Sequence, residues 1–595
     1  MIRIAVGIAA VAVVATACSG VPGSSAPQVI GSGRGNATPG SQPSNTPQPN
    51  VEPRAIVQEF LRANVSEPID PRGPHEFLTP EEQRRWSDST ITILAGSVED
   101  AQVGVAVAGT SHAVAVTVQG TQIGSVGTDG TYTPTPSSSG GAGQPWSYQY
   151  GLDPVNGQFR ISDAPSGLVV YAGEFAQVYR PVRLYFLDLS EKRLVPDVRY
   201  TALTSAQATA AWELTQLVAG PRPQLDAAVR TEIPSQPHPS VGVNGLQARV
   251  ELPGSSRLDG DVKQKVAAQL IATLSNNQPQ MSLTITDGGV PVDIANLPQA
   301  FTRKDIAAMP PPAAGAQAHY FDTITDPPVF YIDAQGRLVT GDGKLVAGPL
   351  GSGAHYDLTS VAVTAGREDT DFYVAATIGQ DDDQTLWIGR ASTGLRKTSV
   401  PAGSLTRPSW LPGQKEAWVA AGARLYRVDY SGALQSVPTA LPPGARITAL
   451  RLSPEGSRIA MIVSLANQSQ LWVGSIVRTD TVPNDGTARI DSAEAITPPG
   501  YRLTDVAWSD DSTLWAVGTS AGSQGIWSVS VDGAGLLSRP SAGLPQAADS
   551  LTIAPGVLPW VSSGGYVFQQ SSDWEGPGRH TTRGTNPIYQ ESYLD

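Results

Sequence analysis

The chain has 595 residues, with 40 Lys and Arg against 53 Asp and Glu, a formal net charge of -13, and one cysteine. That length calls for several domains, and a single cysteine excludes a disulfide framework. No basic run or stripe is present, which excludes the usual nucleic-acid binder.

Arg3 is followed by a 14-residue apolar run, Ile4 to Ala17, and then by Cys18. A basic start, a short apolar core and small residues before a cut make a secretory signal, too short to span a bilayer. Ala15-Thr16-Ala17-Cys18 resembles the bacterial lipobox, with Ala15 where Leu is usual. The resemblance implies cleavage between Ala17 and Cys18, and an N-acyl, S-diacylglycerol cysteine at the new N-terminus. The competing reading is ordinary cleavage near Ala17 with a free thiol. Loss of Arg3 with the signal takes the net charge from -13 to -14. Ser19 to Asn50 is Ser, Gly, Pro, Asn, Gln and Thr almost throughout, too polar to repay ordering, and reads as a tether. No second apolar run of about 18 residues follows, so the expected membrane contact is the N-terminal lipid on the extracytoplasmic face.

The first folded unit is expected over 51–189. Pro53 suits a first helical turn, and Ile56, Val57, Phe60 and Leu61 share one face. Thr79-Pro80-Glu81-Glu82 has the spacing of a capping box. Val103, Val105 and Val107, then Val114, Val116 and Val118, alternate as half-buried strands do. Further strands are expected at Trp146–Tyr150, Gln158–Ile161, Leu168–Tyr171 and Leu184–Leu187, and Gly124 to Gln144 reads as a mobile hairpin loop. Helices first and a curved sheet afterwards resemble the NTF2-like α+β fold. That fold often holds a ligand pocket, against which stands the reading of a plain core.

The second unit is expected over 194–301. A leucine helix through Leu214 and Leu217 closes at Gly220-Pro221, and Glu232-Ile233-Pro234 marks a strand start. Val262, Val266, Leu270, Ile271 and Leu274 have helical spacing, and Leu283 to Thr286 runs as a strand into Asp287-Gly288-Gly289. These features, with Thr273-Leu274 near the helix end, resemble the GerMN domain, which implies an interaction module without catalytic residues.

The stretch 302–319, with Met309-Pro310-Pro311-Pro312, reads as a linker. Nine of the twelve tryptophans follow it: Trp387, Trp410, Trp418, Trp472, Trp508, Trp515, Trp527, Trp560 and Trp574. Leu386-Trp387, Leu425-Tyr426, Leu471-Trp472 and Ile526-Trp527 recur at 39, 46 and 55 residues, each expected at a strand end. Before them come strand and turn fragments at Trp410-Leu-Pro-Gly, Leu452-Ser-Pro-Glu-Gly and Trp508-Ser-Asp-Asp. A period near 45 residues with four strands per unit predicts an all-β propeller over 320–595, of six blades or five. The closing blade is free to borrow a strand from the other end of the domain.

Chemistry is sparse. His75, His112, His238, His319, His355 and His580 are scattered, without HExxH or a Cys/His cluster, so no metal and no cofactor is expected. Gly518-Thr519-Ser520-Ala521-Gly522 fits the G-x-S-x-G nucleophile elbow, but it falls between two strands and reads as a hairpin. Asp381-Asp382-Asp383 reads as a solvated turn, since adjacent carboxylates cannot all converge on calcium. The tryptophans recur in register and read as blade packing rather than a sugar platform. No catalytic residue is assigned.

Signal, tether, NTF2-like unit, GerMN unit and Trp-rich propeller, in that order, resemble the actinobacterial LpqB lipoprotein family. The resemblance implies a non-enzymatic accessory protein that modulates a membrane sensor histidine kinase of a two-component system, acting on cell envelope and division. Its implied partner is the kinase extracellular domain. A cell-wall polymer binder and a propeller-based hydrolase or lyase are the alternatives.

Overall fold

The computed structural model describes residues 51–66, 72–108, 111–136, 143–235, 237–276, 278–309, 320, 327–353, 356–368, 371–411, 416–466, 468–478, 487–539, 544, 546–569 and 581–589. The chain from 45 onward forms one compact unit. Helix α1 (Pro53–Ser66) buries Ile56, Val57, Phe60 and Leu61 against a sheet with strands in the order Gln158–Asp163, Gln144–Val155, Val114–Val126, Ile91–Leu94 and Leu168–Tyr171. The last pair is parallel and the others are antiparallel. Helix α2 (Pro80–Arg85) is capped by Thr79, whose Oγ1 accepts from the Glu82 amide. The reciprocal half of the expected capping box is absent. The Thr79 amide donates to the Ile161 carbonyl at 2.8 Å, and the buried Glu82 carboxylate takes Arg85 and the Ala164 amide instead.

Three further expectations need correction in this unit. Of the Val103-Val105-Val107 alternation, only Gln102–Val103 forms a strand. The chain meets its neighbour again at a single Val107/Ala115 bridge and bulges out between, leaving Val105 79% and Val107 55% exposed. The expected loop from Gly124 is partly sheet, because Tyr132–Pro134 pairs back on Val126 to Gly124. Gly124 is required there: a Cβ would stand 2.4 Å from the Tyr132 ring. Leu184 to Leu187 lie in the strand Arg180–Asp188, which pairs with Leu194–Thr201 and Val229–Arg230 and so belongs to the second sheet system. This hairpin crosses the 189–194 interval drawn between the first two units. The short helix α3 (Ala172–Val178) precedes it.

In the second unit α4 (Ala206–Ala219) starts at the Ser205 side chain and stops at Gly220, whose φ of +107° suits glycine. The strand expected at Glu232-Ile233-Pro234 begins only at Ser240. Ile233 is buried, and the Glu232 amide donates to Gln269 Oε1 at 2.9 Å. Strands Gln247–Glu251 and Ser282–Asp287 run parallel and flank α5 (Gly260–Leu274), whose Val266, Leu270, Ile271 and Leu274 are buried. Helix α6 (Arg303–Ala307), opened by a Thr302/Asp305 capping box and burying Ile306, follows, so the stretch expected to be linker from 302 begins as part of the second unit's packing.

Beyond it lie five four-stranded antiparallel groups at 358–397, 409–437, 446–495, 501–539 and 548–583. A further sheet pairs Val329–Ile332 with Leu338–Thr340 and with the C-terminal strand Thr585–Tyr589. A single parallel bridge, Ser469/Arg502, links the groups at 446–495 and 501–539. The first strands of successive groups touch, and Thr585–Tyr589 touches both Leu358–Glu368 and Ala548–Thr552. The recurring apolar-aromatic pairs all fall on third strands, near the beginning or middle rather than the expected end. Leu386, Leu425, Leu471 and Ile526 are each fully buried, which explains their spacing. Among the described residues no helix is long and apolar enough to cross a membrane.

Candidate functional site

Ala17 and Cys18 lie outside the described residues, as do His319, His355, His580 and Trp574. Gly518 to Gly522 form the tight turn of a hairpin. Thr513–Ser520 pairs antiparallel with Ser523–Ser530, and Ala521 and Gly522 occupy the turn at φ +48° and +79°. Ser520 therefore sits at a strand end rather than on a strand-to-helix elbow. Asp381, Asp382 and Asp383 are an exposed turn, and among the described residues no His/Cys/Asp/Glu group has a metal-holding arrangement. Trp410, Trp418, Trp508, Trp515, Trp527 and Trp560 are buried, and Trp387 and Trp472 are half-buried against the blade cores.

One Ser/His/Asp set is brought together by the strands of the first unit. Asp153 Oδ2 lies 3.0 Å from His112 Nδ1, and Ser162 Oγ lies 2.9 Å from the same nitrogen. Ser162 also donates directly to Asp153 at 2.6 Å. Nucleophile activation needs serine and carboxylate on opposite ring nitrogens. Here both crowd one nitrogen, so the set ties strand ends and lacks a relay.

A second constellation occupies the first strands of the propeller. Asp505 accepts from Arg407 at 3.0 Å, Arg451 at 3.1 Å, and the amides of Leu551 and Val506. Arg407 also donates to the Pro587 carbonyl at 3.0 Å, reaching the C-terminal strand. All three charged side chains are buried. A general base must offer a lone pair to substrate. Asp505 commits its lone pairs to tying together the innermost strands of neighbouring propeller groups.

The third constellation is the seam between the units. Arg199, 2% exposed, binds Asp129 at 2.8 Å and Asp197 at 2.7 Å, and the Arg222 amide donates to Asp197 at 2.8 Å. Arg222 Nη2 reaches the Tyr132 carbonyl at 2.9 Å, and the Tyr200 amide reaches that of Gly130. Toward the propeller, Arg183 donates to Ser512 at 2.7 Å, Tyr185 to Asp511 at 3.1 Å, Tyr200 to Asp532 at 3.4 Å, and Arg458 to the Pro196 carbonyl at 3.2 Å. Burial raises the pKa of Asp511 and Asp532, against the opposing pull of Arg183 and Arg222 respectively. A cavity of about 30 Å³ opens here, between Asp197, Arg222, Gln224, Arg458, Ser475 and Glu494. That is room for a water, not for an organic substrate. Sequence patterning passed over this seam, although charges at Asp197 and Arg199 inside an otherwise apolar strand were its signal.

Three known families match consecutive parts of the chain. They are the Lipoprotein LpqB N-terminal domain over 46–176, the sporulation and spore germination (Germane) domain over 183–293, and the Lipoprotein LpqB beta-propeller domain over 336–589. The second match takes in most of the strand Arg180–Asp188, in agreement with its pairing. The chain is similar to Lipoprotein LpqB of Mycolicibacterium smegmatis, 30% identical over 75% of this chain and 76% of that one. Lipoprotein LpqB of Corynebacterium jeikeium is 28% identical over 87% and 84% of the two chains. Among solved structures, TolB from Acinetobacter baumannii matches 45% of this chain and 67% of its own, at 13% identity and a TM-score of 0.33. A strand-rich multidomain chain with a β-propeller domain, matched on both flanks by LpqB domains and over most of its length by LpqB proteins, belongs to the LpqB lipoprotein family.

Proposed function

We propose that this protein is a lipid-anchored, extracytoplasmic accessory protein that binds the extracellular domain of a sensor histidine kinase and modulates its two-component system in envelope homeostasis and division. Cys18, acylated after cleavage behind Ala17, is the anchor, and Ser19 to Asn50 is the tether. The first unit is read as an NTF2-like cone, the second as a GerMN module and the third as a six-bladed propeller closed by Thr585–Tyr589. The observation that carries the binding role is the state of the polar groups. The best-gathered ones, Asp505 with its arginines and the Arg199/Asp197 seam, are buried and engaged with one another. Such groups build a body rather than a reactive centre. A tether raises the local concentration of this body near any partner in the same membrane, so modest affinity suffices.

A second reading, a wall-polymer binder, is favoured by one feature. Half-buried Trp146 and Tyr148 stack at 6.4 Å and 21° on one sheet face opposite Gly120. The Tyr148 hydroxyl, pushed up to about 12 by burial and then by Asp163, stands beside that carboxylate and Arg85. Calorimetry of the purified protein against the purified kinase extracellular domain and against purified wall polymer separates the two readings. Saturable heat with the kinase domain alone is expected. Heat with polymer alone, lost in Trp146→Ala, replaces the first reading with the second.

A further inference from the structure

The seam between the propeller and the other two units gathers more carboxylates than cations. Asp129, Asp197, Glu494 and Asp532 face Arg199 and Arg222. Arg458, on the same cavity wall, is already paired with Glu455 at 2.7 Å. Asp197 and Asp532 are 0% exposed, and one oxygen of each, Asp197 Oδ1 and Asp532 Oδ2, has no hydrogen-bond partner. Gln224 Oε1, on the same wall, is equally without one. Asp197 is compensated by Arg199, whereas Asp532 has hydrogen-bond donors but no ion pair of its own among the described residues, and protonation is the cheapest relief for a buried carboxylate without a cation.

Asp532 is the group to consider first. It sits in the turn after Ser523–Ser530, accepts from the Ala534 amide at 3.1 Å and from Ser530, and is faced by Tyr200 of the second unit, Tyr132 of the first, Arg222, and Glu494 of Ala488–Ala495 in the preceding propeller group. Only Arg222 carries a positive charge among these, and its amide and Nη2 are already committed to Asp197 and Tyr132. Glu494 is faced by Arg222, Gln224 and Asp532. Two acids therefore share one partly engaged guanidinium.

We infer that the Asp532/Glu494 pair is a proton-binding site and that the seam is a pH-responsive joint, closed with a proton bound and loosened when that proton leaves. Burial raises both acids, with Arg222 opposing. The sign follows from linkage. The closed form holds a proton that the open, hydrated form releases, so closure is favoured in acid. It weakens as pH climbs from the ordinary carboxylate range toward the raised value, by up to about tenfold per pH unit for one proton. The joint depends on none of the partners proposed above, so it stands or falls separately from them.

Hydrogen-exchange protection factors of the full mature protein test it. Peptides carrying the Ala534 amide, bonded to Asp532 on the propeller side, and the Arg222 amide, bonded to Asp197 on the facing side, report the joint. Amides of Asp371–Ile378 and Thr385–Arg390, in the propeller group at 358–397, serve as reference. In wild type, the ratio of seam to reference protection is expected to fall as pH rises above the ordinary carboxylate range, by up to about tenfold per pH unit. In Asp532→Asn/Glu494→Gln it is expected to be flat. Glu494→Gln alone, at the less buried member, is expected to flatten the slope in part and covers the case in which the double variant fails to fold. A flat wild-type ratio, or an unchanged slope in the variants, overturns the proposal.

Discussion

Asp505 shows what a buried charge does in this protein. It is the counter-charge for both Arg407 and Arg451, and taking it away strands two guanidiniums in a site with little access to water. Asp505→Ala is expected to destabilise the propeller by about 3–5 kcal/mol, measured by denaturant unfolding, because breaking a buried pair leaves an unpaired charge. Glu213 on α4 is the opposite case. It is 3% exposed, and burial alone raises its pKa to about 8. An acid raised in the folded state costs nothing below the unfolded-chain value near 4.3 and increasingly more up to about pH 8. Glu213→Gln should therefore stabilise the protein by up to about 5 kcal/mol at pH 8–9, at about 1.4 kcal/mol for each pH unit between the unfolded and folded values, and leave it unchanged near pH 4. A thermal melt series across pH reads both limits.

At the scale of elements, the turn at Ala521-Gly522 carries strain that only glycine avoids. A Cβ on Gly522 meets no atom within 4 Å, so Gly522→Ala isolates the backbone cost of φ +79°. A loss of about 1–2 kcal/mol is expected in thermal unfolding. Gly124→Ala adds a steric clash with the Tyr132 ring and should cost more. Periodicity made such elements legible: α1, α4 and α5 were visible in their apolar faces, and the propeller in the spacing of Leu386, Leu425, Leu471 and Ile526. Pairing was not. Val105 alternates correctly yet finds no neighbouring strand, and Tyr132–Pro134 hides in a Gly/Ser/Thr-rich stretch, because both outcomes depend on residues distant in sequence. The seam was only half legible for the same reason: the charges at Asp197 and Arg199 stood out in an apolar strand, but Asp129 and Asp532 meet their partners across units.

For the whole molecule, the C-terminal strand decides whether the propeller closes. Thr585–Tyr589 pairs with Val329–Ile332 and receives Arg407 at Pro587. Truncation after Gly584 removes that pairing and leaves exposed sheet edges. It is expected to lower the melting temperature and open the propeller to limited proteolysis, while the core of the second unit beneath α4 and α5 remains protected. Lipid anchoring and partner binding belong to this scale too, since the proposed modulator works only if Cys18 holds the body beside a membrane protein. The most direct measurement is crosslinking in intact cells, followed by mass spectrometry of what is joined to the protein, with Cys18→Ala alongside. The expected result is a sensor histidine kinase extracellular domain joined to the wild-type protein and lost or much reduced in the variant; recovery of wall polymer alone, or of no kinase at all, would contradict the account.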